Sequence, residues 1–236
     1  MPTLSQQAAE LFGITLTEAQ AEQFAIYARE LAAWNNHTNL TAITDEEGIQ
    51  VRHFLDSLSV VSAAAPQPGQ RVIDVGTGAG FPGLPLKIVF PQIQLTLLEA
   101  TGKKVEFLNH VAAVMGLSGV TALHARAEEA GHMPTQRAAY DLVLARAVTR
   151  LPALVEYLLP LAKVGGRCIA MKGRTAVEEV KDSGRALNLL GGRVNEVLPV
   201  GLPGIDEARY LVIIEKVTPT PAPYPRAPGT PTRKPL

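Results

Sequence analysis

The heptapeptide Asp74-Val75-Gly76-Thr77-Gly78-Ala79-Gly80 constrains this chain more than any other segment. It follows the strand-like run Arg71-Val72-Ile73 and precedes a helical stretch from Leu84 to Phe90. The pattern reads as a β-strand ending at Val75, a tight glycine turn and a helix. Glycine lacks a Cβ, so it adopts positive φ readily and lets a ligand lie against bare backbone. An acid two positions before the first glycine can orient that loop or meet a cationic ligand group. In the dinucleotide fingerprint the glycines run G-x-G-x-x-G. Here the third glycine arrives one position early.

That spacing, with the acid before it, is typical of loops that hold S-adenosylmethionine (SAM). SAM has no pyrophosphate to seat at a helix N-terminus. The competing readings are an ordinary glycine-rich strand–helix turn and a variant dinucleotide loop. At 236 residues, 47% of them apolar, the chain is long enough for one α/β domain with an appendage. Its longest apolar stretches fall short of the ~20 residues a membrane span needs. Gln6-Gln7 and Glu10 do not fit a signal peptide. The only cysteine is Cys168, so no intrachain disulfide forms, and no Cys/His cluster has zinc-ligand spacing. A cytoplasmic enzyme without a metal is the expectation, and nothing demands more than a monomer.

Net charge is zero, but unevenly spread. Residues 1–145 carry 8 Lys/Arg against 14 Asp/Glu, and residues 146–236 carry 14 against 8. A basic C-terminal half suits a polyanionic partner, although scattered solvated charge would give the same count. Residues 1–65 read as a helical extension. Leu4 to Phe12 forms a first helix, and Thr17 with Gln20 makes a capping box for a second. Phe24, Tyr27, Leu31 and Trp34 recur at helical spacing as a buried stripe. A further helix is expected from Glu46 to Ala64, and Pro66-Gln67-Pro68-Gly69 is a linker.

Residues 66–218 then alternate strand and helix, which implies a mostly parallel sheet. Strands are expected at 71–75, 95–99, 120–124, 142–145, 167–171, 194–200 and 209–216. Helices are expected near 82–90, 102–116, 126–131, 151–163 and 175–190. The expected fold class is α/β, with the Rossmann-like arrangement of SAM-dependent methyltransferases: seven strands, the last antiparallel. Residues 219–236 hold seven prolines and three basic residues, without an acid. Such a segment is not expected to pack as helix or sheet. It reads either as a disordered tail or as a basic strap closing over RNA or the ligand.

Glu99 ends the second strand, 19 residues after Gly80, where a carboxylate can accept from both ribose hydroxyls of an adenosyl group. Ala127-Glu128 follows the third strand and can edge an adenine; Glu128 equally suits the first turn of a helix. Phe81 either packs on the cofactor or belongs to the core. Asp74, Gly76, Gly78 and Gly80 complete the expected cofactor set. The fourth strand ends in Leu144-Ala145-Arg146-Ala147-Val148, without the Asn/Asp-Pro-Pro-aromatic turn used on exocyclic base amines. Cys168 lies mid-strand and reads as inert core, not as a nucleophile for pyrimidine C5. A target needing neither device is an exposed nitrogen lone pair such as guanine N7. It carries no proton, so the enzyme's task is proximity and orientation. No residue stands out as a proton-transfer catalyst, and Arg146 and His53 are candidates for positioning. Arg146 could donate to guanine O6, to a phosphate or to the cofactor region, or could simply pair with a nearby acid. His53 and Asp56 share a helical face. Lys103, Lys104, Lys172, Arg174 and Arg226, with His53, are candidate RNA contacts.

Taken together these residues resemble the bacterial small-subunit ribosomal RNA guanine-N7 methyltransferase family, also called the glucose-inhibited division protein B family. The resemblance runs through Trp34-Asn35, Asn39-Leu40-Thr41 and Arg52-His53-Phe54-Leu55-Asp56-Ser57-Leu58. It continues from Asp74 to Leu86 with Gly80-Phe81-Pro82-Gly83, and through Lys103-Lys104, Arg126-Ala127-Glu128, Arg146-Ala147 and Lys172-Gly173. It also takes in Tyr224-Pro225-Arg226, Gly229, Pro231 and Pro235-Leu236. It implies SAM as methyl donor and 16S rRNA or the small ribosomal subunit as partner. The implied target is one guanine N7 in the decoding-region loop. It implies cofactor contacts at Gly76, Phe81, Ala127, Glu128 and Arg146. The family often has Asp where this chain has Glu99. Two rivals remain: an NAD-dependent oxidoreductase, which the glycine spacing disfavours, and a non-catalytic RNA-binding or assembly factor on the same fold.

Overall fold

The computed structural model describes residues 2–236. Helices α1 (Leu4–Phe12) and α2 (Glu18–Asn35) open the chain. Each begins with a capping box. Thr17 Oγ1 accepts from Gln20 N at 3.2 Å, and Gln20 Oε1 accepts from Thr17 N at 2.9 Å. Thr3 and Gln6 repeat the device, which the sequence reading had not anticipated. Phe24, Tyr27 and Leu31 are buried as expected, worth about 2 kcal/mol each for Phe24 and Leu31. Trp34 is only half-buried, with its ring 5.6 Å from Phe107 and 5.2 Å from His110.

The helix expected over 46–64 is not regular. It comprises α3 (Glu46–Gly48), a π-helical stretch Ile49–Leu55, α4 (Asp56–Leu58) and a 3₁₀ turn Ser59–Ser62. The π turn widens the coil. It brings Arg52 O, His53 Nδ1 and the Asp56 carboxylate within 3.2 Å of a single guanidinium, that of Arg146.

The sheet contains β1 (Arg71–Val75), β2 (Gln94–Glu99), β3 (Val120–His124), β4 (Tyr140–Arg146), β5 (Ala162–Lys172), β6 (Gly192–Leu202) and β7 (Ile205–Lys216). Their order is β3-β2-β1-β4-β5-β7-β6. Strands β1 to β5 pair in parallel, and β7 lies antiparallel between β5 and β6. Alternate residues serve two cores. Val72, Leu95, Leu97, Leu142, Leu144 and Ile169 join the N-terminal helices on one face. Ile73, Val75, Leu98, Val143, Cys168 and Ile214 face the other. The strand order reverses between β1 and β4, so the crevice at their C-terminal ends is where an open α/β sheet takes a ligand.

The sheet is wrapped by α5 (Gly83–Val89), α6 (Gly102–Val114), α7 (Ala127–Ala130), α8 (Leu151–Leu158), α9 (Ala176–Asp182) and α10 (Gly184–Leu190). Gln20 Nε2 donates to Ile88 O at 2.9 Å and so ties α2 to the end of α5. The helix expected over 151–163 stops at Leu158, just before Pro160, which has no N–H for the helical ladder. The helix expected over 175–190 is divided at Ser183, whose hydroxyl donates to Glu179 O at 2.6 Å just before Gly184. Among the described residues no helix is long and apolar enough to cross a membrane.

Residues 219–236 correct the sequence reading. They are docked, and Thr230–Arg233 forms a last helical turn, α11. A proline-rich chain offers carbonyls but few N–H groups, and the body supplies the missing donors. Arg137 Nη1 donates to Tyr224 O at 2.7 Å and Nη2 to Thr220 O at 2.8 Å, and His132 Nε2 lies 2.7 Å from Pro225 O.

A methyl group at Gly80 (φ +103°) would lie 2.6 Å from the Tyr27 hydroxyl and strike Leu84, whereas one at Gly78 (φ +62°) meets nothing within 4 Å. Gly80→Ala should therefore lose roughly 2–4 kcal/mol of stability, and Gly78→Ala only the ~1–2 kcal/mol of its left-handed backbone. Urea melts of both variants check the order, and equal losses would contradict it.

Candidate active site

The glycine turn is held by acids on both sides. Asp74, fully buried, accepts at Oδ2 from Thr77 Oγ1 at 2.5 Å and from Gly83 N at 2.9 Å. It thus fixes the loop to the start of α5. Its other oxygen, Oδ1, is buried without a partner. Burial raises the Asp74 carboxyl to about 6, against the pull of the Thr77 and Gly83 hydrogen bonds and of Arg146. Glu99 accepts at Oε2 from Gly78 N at 3.0 Å and at Oε1 from Thr101 N at 2.9 Å. Each Glu99 oxygen keeps a further lone pair. Tyr27 donates to Ala79 O at 2.6 Å, so α2 also supports the turn.

Beside this turn lies a cavity of about 210 Å³. Gly76, Glu99, Ala127 and Glu128 line it from the strand ends, and Tyr157, Gly229 and Thr232 from the far side. Four of the expected cofactor residues therefore meet at one place, Gly76, Glu99, Ala127 and Glu128, and Gly78 is bonded to one of them, Glu99.

A second cavity, of about 300 Å³, opens at the ends of β4, β5 and β7. Asp56, Arg146, Lys172, Arg209 and Tyr210 are among its lining residues. Asp56, 3% exposed, receives Arg146 at 2.9 Å and Arg209 at 3.1 Å. Arg209 Nε is buried without a partner. Arg146 Nη2 lies 3.2 Å from His53 Nδ1. Arg52 O lies at the same 3.2 Å from Nδ1, and Thr41 Oγ1 is 2.7 Å from His53 Nε2, so both ring nitrogens are engaged. The His53 ring stacks on Phe81 at 4.5 Å, and the Arg146 guanidinium lies 4.9 Å from the same ring.

The comparisons with known proteins agree with this architecture. A family model, GidB, described as rRNA small subunit methyltransferase G, matches residues 20–205. A Ribosomal RNA small subunit methyltransferase G from Roseiflexus sp. (strain RS-1) is 52% identical over 228 residues, 97% of each chain. The chain belongs to the rRNA small subunit methyltransferase G family. A family member from Alkaliphilus metalliredigens is 48% identical over 95% of this chain and 94% of its own. The crystal structure of a SAM dependent methyltransferase from Aquifex aeolicus superposes with a TM-score of 0.54 at 21% identity, covering 72% of this chain and 93% of that one. That likeness concerns the fold.

Within this family member several expected site residues occupy other places. Phe81 is buried between His53 and Tyr27, and its ring is not on the glycine-loop cavity. His53, an expected RNA contact, is 6% exposed and committed to Arg146 and Thr41. Lys172 pairs with Glu179 at 2.6 Å and donates to Thr149 O, so its charge pins the end of β5. Arg226 clamps the fully buried Glu156. Each of these three side chains stands where a buried acceptor or ring holds it, which leaves little for an RNA phosphate. Arg146 does pair with an acid, Asp56, as its plainer reading held. Lys103 and Arg174 are exposed and Lys104 half-buried. Burial pushes the Cys168 thiol up to about 12, in keeping with inert core. Arg209, Tyr157 and Thr232 line the two cavities and are not singled out by the sequence. The one available signal was Arg209-Tyr210 heading the apolar run Leu211–Ile214.

Burial, followed by the neighbouring Arg146 charge, lowers the His53 imidazole from 6.5 to about 4. As pH falls the unfolded chain takes up this proton first. His53 therefore supports stability above pH 6.5, and that support, on the order of 3 kcal/mol, is lost as pH drops through about 4. Asp74 acts in the opposite sense, since its ionisation costs stability as pH rises from 3.8 to about 6. Comparing wild type with His53→Gln isolates the histidine. The wild type should lose ground to the variant on acidification, and a pH-independent difference would contradict the assignment.

Proposed function

We propose that this rRNA methyltransferase transfers the methyl group of SAM to N7 of one guanine in the decoding-region loop of 16S rRNA. It would act as a cytoplasmic monomer. The observation that carries the reading is the pair of adjoining cavities. Glu99 and Glu128 line one, and arginines joined through Asp56 line the other.

The residues at the glycine turn fit SAM. Glu99 retains lone pairs for a ribose diol, and Ala127-Glu128 offers a carboxylate for an adenine amine. A Cβ on Gly78 meets open space, and Glu99 and Glu128 give the cavity two carboxylates for a cationic ligand. When bound, SAM supplies an electrophilic methyl on a sulfonium. Asp74 and Phe81 act behind the turn and shape it, while Gly76, Gly78, Gly80, Glu99, Ala127 and Glu128 form the binding surface.

The second cavity suits the target guanine. Guanine N7 and O6 both accept, so donors must mark O6 while N7 stays free to attack. Arg209 lines the cavity with an Nε that has no protein partner, and the Tyr210 ring offers a face for stacking. Because N7 is unprotonated, no base is required, and the work of the site is alignment. The purine gains positive charge during transfer. Asp56 offsets part of the charge of its two arginines, and His53 is neutral, so the pocket opposes that change less than free cations would. Arg146 positions the pocket wall through its bonds to Asp56 and Arg52 O.

Labelled SAM and small subunits that lack the modification provide the test, with mapping by cleavage at N7-methylguanine. One stop in the decoding-region loop is expected, whereas SAM binding without any such stop would favour the non-catalytic reading. Arg209→Gln should lower the transfer rate at least tenfold and leave cofactor affinity, measured by calorimetry, unchanged. Loss of cofactor binding would instead move Arg209 to the other cavity.

Lys103 and Lys104 at the start of α6 remain RNA contacts in this reading, with Arg174 beyond β5. Replacing both lysines by alanine should flatten the salt dependence of RNA binding by one to two phosphate contacts and spare SAM. A slope equal to wild type removes them from the interface.

A further inference from the structure

The cavity beside the glycine turn has a wall that comes from the far end of the chain. Gly229 N donates to Glu128 Oε1 at 2.7 Å, and Glu128 is 5% exposed. The Thr232 and Tyr157 hydroxyls are 2.8 Å apart, and both line the same cavity as Gly76, Glu99 and Ala127. Burial, above all, raises the Tyr157 hydroxyl, and the Glu128 carboxylate acts on it in the same direction. The segment leading here is firmly fixed. Arg226 donates to Glu156 from its backbone N at 2.7 Å and from Nη2 at 2.6 Å, and Gly131 carries no Cβ where Pro225 packs. By contrast, two hydrogen bonds, those of Gly229 and Thr232, join the next stretch to the cavity wall.

From this arrangement we infer that residues 229–232, with Tyr157, are part of the cofactor site and close it around the adenine end of an adenosyl ligand. The inference rests on the SAM reading above. The Gly229 N–H occupies one lone pair of Glu128 and fixes the carboxylate, which has others left for an exocyclic amine. Tyr157 and Thr232 present two hydroxyls beside it, groups that can donate or accept as a purine edge requires. An adenosyl ligand would then bridge the strand ends and the C-terminal segment. Its binding would hold that segment in place and set the exposed Arg233 and Lys234 at the rim of the cavity.

Two measurements on the full chain test this, with S-adenosylhomocysteine as the probe. Calorimetry should show at least tenfold weaker binding to a Tyr157→Phe, Thr232→Val double variant than to wild type. Hydrogen exchange of the wild type should slow across residues 226–234 when the probe is saturating. The second readout needs no variant, so a variant that folds poorly does not shield the inference. Affinity within twofold of wild type in a folded variant overturns it, and so does unchanged exchange of the segment in probe-bound wild type. Wild type that fails to bind the probe at all overturns the SAM reading beneath it, a result distinct from either.

Discussion

The Asp56 carboxylate sits between two guanidiniums, 2.9 Å from Arg146 and 3.1 Å from Arg209, almost wholly out of water. Taking a carboxylate and its partners into the interior is costly, and the arrangement holds only because each charge is met by hydrogen bonds. Removing one partner would leave the rest uncompensated, a loss of about 3–5 kcal/mol in comparable buried pairs. The three residues come from the N-terminal helical stretch, β4 and β7. One ionic joint therefore ties the helical stretch to two strands and walls the cavity at their ends. Phe81 extends the joint, since it carries the His53 ring on one face and lies within reach of the Arg146 guanidinium. It thereby links the arginine cluster to the glycine turn next to it.

On the other side of that turn the acids have two tasks. Asp74 and Glu99 hold the backbone of the loop through Thr77, Gly83 and Gly78, and Glu128 holds the C-terminal segment through Gly229. A carboxylate that already accepts protein N–H groups is oriented before any ligand arrives, so less freedom is lost on binding. Glu99 and Glu128 face the first cavity together with Arg126, while the neighbouring cavity balances Arg146, Lys172 and Arg209 against Asp56, Glu179 and Glu207. The two cavities are kept apart by only the width of β4 and its end.

Much of this could be read in the residues. The glycine turn carries its own signature in spacing and in the need for positive φ, and all three of its glycines adopt it. Strand–helix alternation placed the sheet, and the late hairpin placed β7 antiparallel, because both depend on local pattern. Other features depend on distant partners and leave no local trace. The π turn at Ile49–Leu55 has an ordinary helical composition, and its form follows from the convergence of Arg52, His53 and Asp56 on Arg146. The proline-rich segment looked unstructured because its own residues cannot satisfy their carbonyls, and Arg137, more than 80 residues earlier, does so. Lys172 and Arg226 looked available because the buried acids that hold them, Glu179 and Glu156, sit inside helices where sequence alone shows only charge.

The antiparallel insertion of β7 has a consequence for the order of assembly. Arg209 lies 153 positions after Asp56 in the chain, and it reaches the same sheet edge only because β7 runs against its neighbours. Contacts of such separation form late, since a long loop must close before they stabilise anything. As the chain emerges from a ribosome, the glycine turn and the first four strands are out well before Arg209, which completes the pairing of Asp56. The joint between the N-terminal helices and the sheet is thus completed only near the end of synthesis.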